Sequence, residues 1–427
     1  MTQMPTNLVA RDRAHLWHPY TQHATEAEPL SVASAAGSVI TLEDGTQLID
    51  AISSWWATLH GHGHPRIVQA MSEQVQKLDH VLFAGATHEP AVKLAEELLK
   101  VTPPGLTRVF YSDNGSTAVE VALKMVRQVW CHEGQNERRV FLSLEGAYHG
   151  DTFGSMAVGD PDPFFLPFKP MLFEARRVPA NANAIAQALE ELGPTCAGVI
   201  LEPLVQGAAG MLMQSTSFLR EVRAHCDKFG VPLIADEVMT GFGRTGELFA
   251  CNKAGIRPDI LCLAKGLTGG NFPLSATLTT ERYFEAFLSE DRTRAFFHGH
   301  TFTGNPVGCA VGLASLQICR EEDTPARLES IGTQIEAQLA EALDGDERVQ
   351  NLRRVGGIVA LDLVPATGTK GGYLSSLQPI LRAAAIERGV LLRPLGNVLY
   401  ALPPSSTTSG QCERIAEVMI ELVRLSH

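Results

Sequence analysis

The chain has 427 residues, of which 45% are hydrophobic and 19% charged, and a formal net charge of -12. This length predicts two or three domains with a large core, and the composition excludes a disordered protein. The negative charge argues against a nucleic-acid or anionic-membrane partner. The eight cysteines include no CxxC pair, and the N-terminus lacks the apolar core of a signal peptide. We therefore expect reduced, mostly buried thiols in a cytoplasmic protein.

Three regions with different patterns follow one another along the chain. Residues 1–60 are irregular and aromatic-rich, and we expect them to join the smaller domain. Between 61 and 325, helical periodicity alternates with short apolar runs, which predicts a large domain with a mostly parallel sheet and helices on both faces. Long amphipathic helices and short strands between 326 and 427 predict a smaller α+β domain. The predicted fold class is α/β.

A glycine-rich loop, LHGHGHP, carries three alternate histidines: His60, His62 and His64. Such side chains could converge on a metal ion, yet no cysteine or carboxylate completes a recognisable ligand set. Ordinary loop histidines are the favoured interpretation, and no metal site is predicted.

The segment RVFYSDNGSTAVEVALK predicts a strand, a tight Asn114-Gly115 turn and a helix that begins near Ser116. A helix N-terminus offers unpaired N–H groups and a positive dipole end, so it favours an anion such as a phosphate. Gly115 allows close approach of the backbone, Ser116 adds a hydroxyl, and Thr117 with Glu120 fits a capping box. A purely structural strand–turn–helix fits this segment equally well.

The loop EGAYHGDTFG places Tyr148 and His149 between glycines. An aromatic ring at such a position can stack on the flat ring of a bound cofactor. Packing of the tyrosine on the core is the alternative interpretation.

The most informative stretch runs from Val231 to Lys265. Two apolar runs, Val231 to Ala235 and Ile260 to Ala264, predict buried strands that end in Asp236 and Lys265 respectively. Open α/β sheets bind ligands at the carboxyl ends of their strands. An amine and a carboxylate held there suit a pyridoxal phosphate enzyme, in which the lysine forms a Schiff base and the aspartate pairs with the pyridine nitrogen.

A rival signal lies between these strands, because GFGRTG (241–246) matches the dinucleotide-binding pattern GxGxxG. That fingerprint must open a helix directly from a strand. Here five residues intervene after the strand, and the following segment is short and stops at Pro258. A nicotinamide-binding site is therefore disfavoured.

Together these motifs resemble the class III, fold-type I pyridoxal phosphate aminotransferases over nearly the whole chain. LIADEVMTGFGRTG and PDILCLAKGLTGG carry the resemblance most specifically. It implies that Lys265, Asp236 and Tyr148 are catalytic, with Tyr148 stacked on the cofactor ring. Gly115 and Ser116 would hold the phosphate.

The same resemblance implies further residues around the site. Glu202, in ILEPLVQG, would lie near the cofactor, and Thr301 would reach the phosphate from the other subunit of a homodimer with shared sites. The residues expected to line the substrate site are Tyr20, Trp55, Gly299 and Arg393. Arg393 would pair with a carboxylate, a task that suits the planar fork of a guanidinium.

Several motifs resemble the biotin-pathway members of the class, which aminate 8-amino-7-oxononanoate, usually from S-adenosylmethionine; they are WHPYTQ, SSWWATLHG, AYHGDTFG, LSATLTT and RPLGNVLYALPP. S-adenosylmethionine is therefore the expected donor. The substrate loop reads HGHTF instead of HGPTF, and His300, with RPLG, resembles relatives that use lysine. Lysine as donor, or a transaminase of ω-amino acids or diamines, is the alternative.

Overall fold

Short strands joined by helices build the fold, as the alternating sequence pattern predicts. The computed structural model describes residues 7–160, 162, 164–364 and 375–426. In chain order the strands are β1 (Val32–Ala36), β2 (Val39–Leu42), β3 (Gln47–Asp50), β4 (Leu106–Ser112), β5 (Val140–Leu144), β6 (Ala175–Val178), β7 (Cys196–Leu201), β8 (Val205–Gln206), β9 (Leu212–Met213), β10 (Leu233–Asp236), β11 (Ile260–Leu263), β12 (Ser275–Thr280), β13 (Val349–Val355), β14 (Ile358–Leu363), β15 (Val390–Leu391) and β16 (Val398–Ala401).

The helices lie mainly between these strands. They are Leu8–His15, Pro65–Lys77, Glu89–Val101, Gly115–His132, Phe153–Val158, Ala182–Leu192, Thr216–Phe229, Ala250–Ala254, Glu281–Glu285, Pro306–Glu321, Thr324–Ala342, Leu377–Glu387 and Ser409–Leu425. Shorter 3-10 turns are Leu166–Met171, Gly193–Thr195, Lys265–Thr268 and Arg292–Arg294. Within the described ranges, no helix combines the length and apolar character that crossing a membrane requires.

A seven-stranded sheet in the order β4-β12-β11-β10-β7-β5-β6 forms the centre. Neighbouring strands are parallel except at β12, which runs antiparallel to both β11 and β4. Every residue of β10 and β11 is buried, which explains why both strands read as continuous apolar runs. Because these two strands are adjacent and parallel, with Asp236 opposite Cys262, the chain leaves both at the same edge of the sheet.

Besides the two-stranded pair of β8 and β9, two smaller sheets lie outside this centre. One has the order β1-β2-β3-β15, in which β15 pairs in parallel with β3, so residues from both ends of the chain share a sheet. The other, β13-β14-β16, is antiparallel. The predicted α/β fold class, with a smaller α+β part drawn from both termini, is confirmed. The boundaries at 60 and 325 stay predictions.

Candidate active site

A cavity of about 750 Å³, the first cavity, opens at the edge of the sheet where β10 and β11 end. The predicted residues that line it are Gly115, Ser116, Tyr148, Glu202, Asp236 and Lys265. These residues come from five separate segments of the chain. The fold therefore brings together the amine, the carboxylate and the anion-binding helix that the sequence predicted.

Lys265 opens the 3-10 turn that follows β11, with its backbone in the left-handed region at φ 45°. Its Nζ lies 4.8 Å from the centre of the Trp56 ring. Burial lowers the pKa of the amine to about 8, although the charges of Asp236 and Glu202 oppose this shift. A lysine of this kind supplies a neutral amine near physiological pH.

Asp236 is buried and held in place by two hydrogen bonds. One carboxylate oxygen accepts the backbone N–H of Val238 at 3.1 Å, and the other lies 2.7 Å from Nδ1 of the buried His149. The opposite ring nitrogen of His149, Nε2, is buried and has no hydrogen-bond partner within the described ranges. His149 is the contact that sequence reasoning missed, because it lies 87 positions from Asp236 and no local pattern connects the two.

The helix Gly115–His132 points its N-terminus at the first cavity. Asn114 caps it by accepting the N–H of Thr117 at 3.0 Å, and the hydroxyl of Thr117 accepts the N–H of Asn114. The predicted capping box between Thr117 and Glu120 is therefore wrong by one turn. Glu120 accepts the N–H groups of Gly154 and Ser155 instead, because they form the first turn of the next helix.

Glycine is required at position 115 because a Cβ there would lie 2.6 Å from a methyl group of Val238. The hydroxyl of Ser116 accepts the N–H of Thr152 at 3.0 Å and contacts its hydroxyl at 2.9 Å. The first N–H groups of a helix have no partner inside the helix. Asn114 already accepts the N–H of Thr117, so those of Gly115 and Ser116 remain available for an anion in the first cavity.

Glu202 links two loops beneath Tyr148. Its oxygens accept the N–H of Tyr148 at 3.1 Å and that of Gly207 at 3.0 Å. Burial, with a contribution from Asp236, raises the pKa of Glu202 to about 7, while the neighbouring His149 opposes the rise. The carboxyl therefore fixes the loop that carries Tyr148.

A second cavity of about 350 Å³ adjoins the first. The residues that line both are Trp56, Ala57, Tyr148 and Lys265. The rest of its wall is largely aromatic and aliphatic, and includes Tyr20, Trp55, Phe164, Leu395 and Tyr400. The structure thus brings three of the four predicted substrate residues, Tyr20, Trp55 and Arg393, into one cavity.

Arg393, which lines the second cavity together with Lys265, has its Cζ 4.1 Å from the centre of the Trp55 ring. Within the described ranges it forms no ion pair with a carboxylate. The hydroxyl of Tyr20 meets that of Tyr148 at 3.1 Å and donates to Asp151 at 2.7 Å. Asp151, which sequence reasoning did not single out, thereby connects the N-terminal segment to the Tyr148 loop.

Gly299 and Thr301 lie apart from both cavities, in an exposed loop. His300 between them has Nδ1 4.0 Å from a carboxylate oxygen of Asp113. Large apolar side chains on either side are also exposed: Phe297 by 76% and Phe302 by 57%. The roles expected for Gly299 and Thr301 stay predictions.

The rival motifs have structural roles. GFGRTG forms consecutive turns instead of opening a helix, and it buries Arg244, whose guanidinium donates to the carbonyl groups of Pro403 and Thr58. The three alternate histidines have separate polar partners: His60 contacts Ser315, His62 contacts Asp50 and His64 contacts Glu322. In the part of the chain that the structure describes, no three metal-binding side chains converge.

The sheet order and a lysine–aspartate pair at its carboxyl edge define a fold-type I pyridoxal phosphate enzyme. The family model for class III aminotransferases matches residues 20–423, and the chain belongs to this family.

Named relatives agree with this assignment. The curated adenosylmethionine-8-amino-7-oxononanoate aminotransferase of Synechococcus elongatus is 48% identical, over 96% of this chain and 98% of the relative. The crystal structure of the enzyme of that name from Methanocaldococcus jannaschii has a TM-score of 0.92 at 35% identity, covering 97% of this chain and 98% of that one. A PLP-bound amine transaminase from an uncultivated Pseudomonas species has a TM-score of 0.89 at 32% identity, covering 96% and 99%.

Class III aminotransferases use pyridoxal 5′-phosphate, and the first cavity fits this cofactor. A nearby carboxylate favours a protonated ring nitrogen, and the buried Asp236 would supply it. A helix N-terminus that the ligand can approach closely suits the phosphate, and Gly115 and Ser116 would provide it. The carbonyl group requires an amine, and Lys265 is buried in the same cavity with a lowered pKa.

Proposed function

We propose that this enzyme transfers an amino group from S-adenosylmethionine to 8-amino-7-oxononanoate, giving 7,8-diaminononanoate for biotin biosynthesis. The observation that carries the proposal is the aromatic second cavity, which meets the first cavity at Lys265 and contains Arg393. The names of the relatives from Synechococcus elongatus and Methanocaldococcus jannaschii support it.

The second cavity matches the chemistry of the acceptor, which has an aliphatic chain between a carboxylate and a reactive carbonyl. The guanidinium of Arg393 is suited to bind the carboxylate in bidentate fashion. The face of Trp55 already contacts the guanidinium, so the cation is oriented before substrate arrives. The aromatic walls exclude water from the aliphatic chain. The carbonyl end would then lie beside Lys265.

On the cofactor side, Lys265 is the proton carrier of the proposed mechanism. Its lowered pKa leaves part of the amine neutral, so Nζ can take a proton from carbon and return it. When bound, pyridoxal phosphate withdraws electrons from the carbon that bears the reacting amine. The carboxylate of Asp236 would keep the ring nitrogen protonated, and His149 orients that carboxylate.

We also propose a homodimer in which Thr301 of one copy completes the phosphate site of the other. The exposure of Thr301, between the exposed rings of Phe297 and Phe302, supports this arrangement.

Mixing two variants, one inactive and one impaired, tests the shared site. Lys265→Ala disables a subunit's own site, whereas Thr301→Ala would weaken the partner's site. A mixed dimer would therefore contain one intact site, and activity should rise when the two variants are unfolded and refolded together. Mixtures no more active than the separate variants, although they form dimers by light scattering, would remove Thr301 from this role.

The function itself is tested on the purified holoenzyme. With 8-amino-7-oxononanoate and S-adenosylmethionine, 7,8-diaminononanoate should form, as measured by mass spectrometry, and Lys265→Ala should lower its rate by several orders of magnitude. Product with lysine but not with S-adenosylmethionine would make the His300 loop the donor determinant. Turnover of ω-amino acids or diamines without any product from the keto acid would refute the proposal.

A further inference from the structure

Four consecutive residues without glycine adopt the left-handed backbone region. They are Ser53 (φ 49°), Ser54 (φ 45°), Trp55 (φ 70°) and Trp56 (φ 70°). We call this segment the left-handed turn. Residues that carry a Cβ avoid this region, because the side chain crowds the following carbonyl oxygen. Such strain persists only where surrounding contacts enforce it, and it concentrates at functional sites.

The buried carboxylate of Asp50 is the main polar contact of the left-handed turn. One oxygen accepts the N–H of Ser54 at 2.9 Å, and the other accepts the hydroxyl of the same serine at 2.7 Å. His62 Nε2 lies 2.9 Å from the second oxygen and so orients the carboxylate. Although burial alone would raise it, hydrogen bonds from His62 and Ser54 hold the pKa of Asp50 below its usual value.

Contacts to the C-terminal part of the chain complete the support. The hydroxyl of Ser53 donates to the carbonyl of Leu402 at 2.7 Å, and Nε1 of Trp56 donates to the hydroxyl of Tyr400 at 3.0 Å. The segment is thus held from β3 on one side and from β16 on the other.

The direction of the two indole rings follows from this backbone. Trp55 lies against Arg393 in the second cavity, and Trp56 lies over Nζ of Lys265 where the two cavities meet. A right-handed helical turn would direct the two side chains differently. The left-handed conformation is therefore what presents one ring to each functional side chain.

We infer that Asp50 and His62 are positioning residues for the acceptor, because together they hold the left-handed turn that places Trp55 against Arg393. The identity of the acceptor rests on the proposed function, whereas the geometry of the turn is independent of it. It also gives His62, in the LHGHGHP motif, a role in which no metal takes part.

Steady-state kinetics of the holoenzyme test the inference. Asp50→Ala and His62→Ala should each raise the KM for 8-amino-7-oxononanoate by about tenfold or more, since they misplace a binding wall, and should lower kcat by a smaller factor, since Trp56 of the same turn lies over Lys265. The two changes should be non-additive in the double variant, because they act through one contact. His64→Gln is the matched control from the same motif: it pairs with Glu322 and should leave this KM unchanged.

Glycine rescue separates positioning from general destabilisation. Without Asp50, Ser54 loses the two hydrogen bonds that chiefly offset its strain, and glycine is the residue that adopts φ 45° freely. Ser54→Gly in the Asp50→Ala background should therefore restore the KM, whereas Ser54→Ala should not. The near-ultraviolet circular dichroism of the apoenzyme, which reports tryptophan geometry, should follow the same order of loss and rescue. The same measurement in a Trp55→Phe background identifies the part of the circular dichroism signal that comes from Trp55.

An unchanged KM in both alanine variants would overturn the inference. A second result would also overturn it: a fall in kcat as large as the rise in KM, together with lowered thermal stability and no difference between the two Ser54 variants. That pattern indicates only a structural role. If the wild-type enzyme does not turn over the keto acid, the proposed function fails, and the circular dichroism of the apoenzyme still decides whether Asp50 holds the left-handed turn.

Discussion

The amine of Lys265 should titrate near neutral pH in the cofactor-free enzyme. Burial lowers its pKa from 10.5 to about 8. At about pH 7.5 this leaves roughly a quarter of the amine uncharged, against roughly 0.1% for an ordinary lysine. Only the uncharged amine attacks a carbonyl, so burial should raise the reactive fraction by about two orders of magnitude.

A charge substitution makes this prediction sharper. Asp236→Asn removes a nearby negative charge with little change in shape, and that charge favours the ammonium form of Lys265. The pKa of Lys265 should therefore fall further, by about one unit, the lower end of the effect of a nearby opposite charge. A substitution that merely opened the site to water would move the pKa upward instead.

Trace acylation of the apoenzyme over a series of pH values provides the assay. Mass spectrometry of the peptide that contains Lys265 gives the modification rate at each pH, and the exposed Lys228 serves as an internal reference. The midpoint for Lys265 should lie near pH 8. A midpoint near the ordinary lysine value, or an upward shift in Asp236→Asn, would refute the reasoning.

Three further predictions follow from single residues. Lys265→Met should stabilise the apoenzyme below pH 8 by up to about 3 kcal/mol, because burial of the charged lysine costs folding free energy there. The gain should vanish as the pH rises towards 10.5, where the amine becomes uncharged in the unfolded chain as well, and calorimetry measures it. Arg393→Met should raise the KM for the keto acid at least about 100-fold, because the charge and the bidentate contact are both lost. Arg393→Lys loses the bidentate contact but keeps the charge, so it should raise this KM by less; the KM for the donor is the control. Arg244→Met should lower the free energy of unfolding in urea by about 3 kcal/mol or more, because buried carbonyl groups lose their donor.

The cofactor side of the site could be predicted largely because its signals are local. Asp236 and Lys265 each follow a short apolar run that forms a fully buried strand, and parallel strands end at one edge of a sheet. Ser116 follows from a turn and a helix start in consecutive residues. For these residues, periodicity and strand–helix alternation indicated a place at one edge of the sheet, whereas their roles came from the resemblance to the class III aminotransferases.

The contacts that sequence reasoning missed are those that cross long stretches of chain. His149 pairs with Asp236, and Arg244 with Pro403, 159 positions away. Backbone conformation was the other gap. The SSWW segment contains no glycine, so nothing in its composition predicts a left-handed turn, which depends on contacts from Asp50 and Leu402. For the same reason the capping box could not be assigned correctly, since Glu120 has partners in another helix.

The pairing of β15 with β3 has a consequence for synthesis on the ribosome. The aromatic wall from residues 20–56 emerges early, whereas Arg393 and β15 emerge about 130 residues after Lys265. At roughly 5 to 20 residues per second, the nascent chain spends roughly 6 to 26 s with its lysine made but its carboxylate-binding arginine still absent. Closing such a long loop is slow in folding. The growing chain should therefore contain its own cofactor-binding residues before the arginine that recognises an acid, so the residue expected to select the substrate is added late.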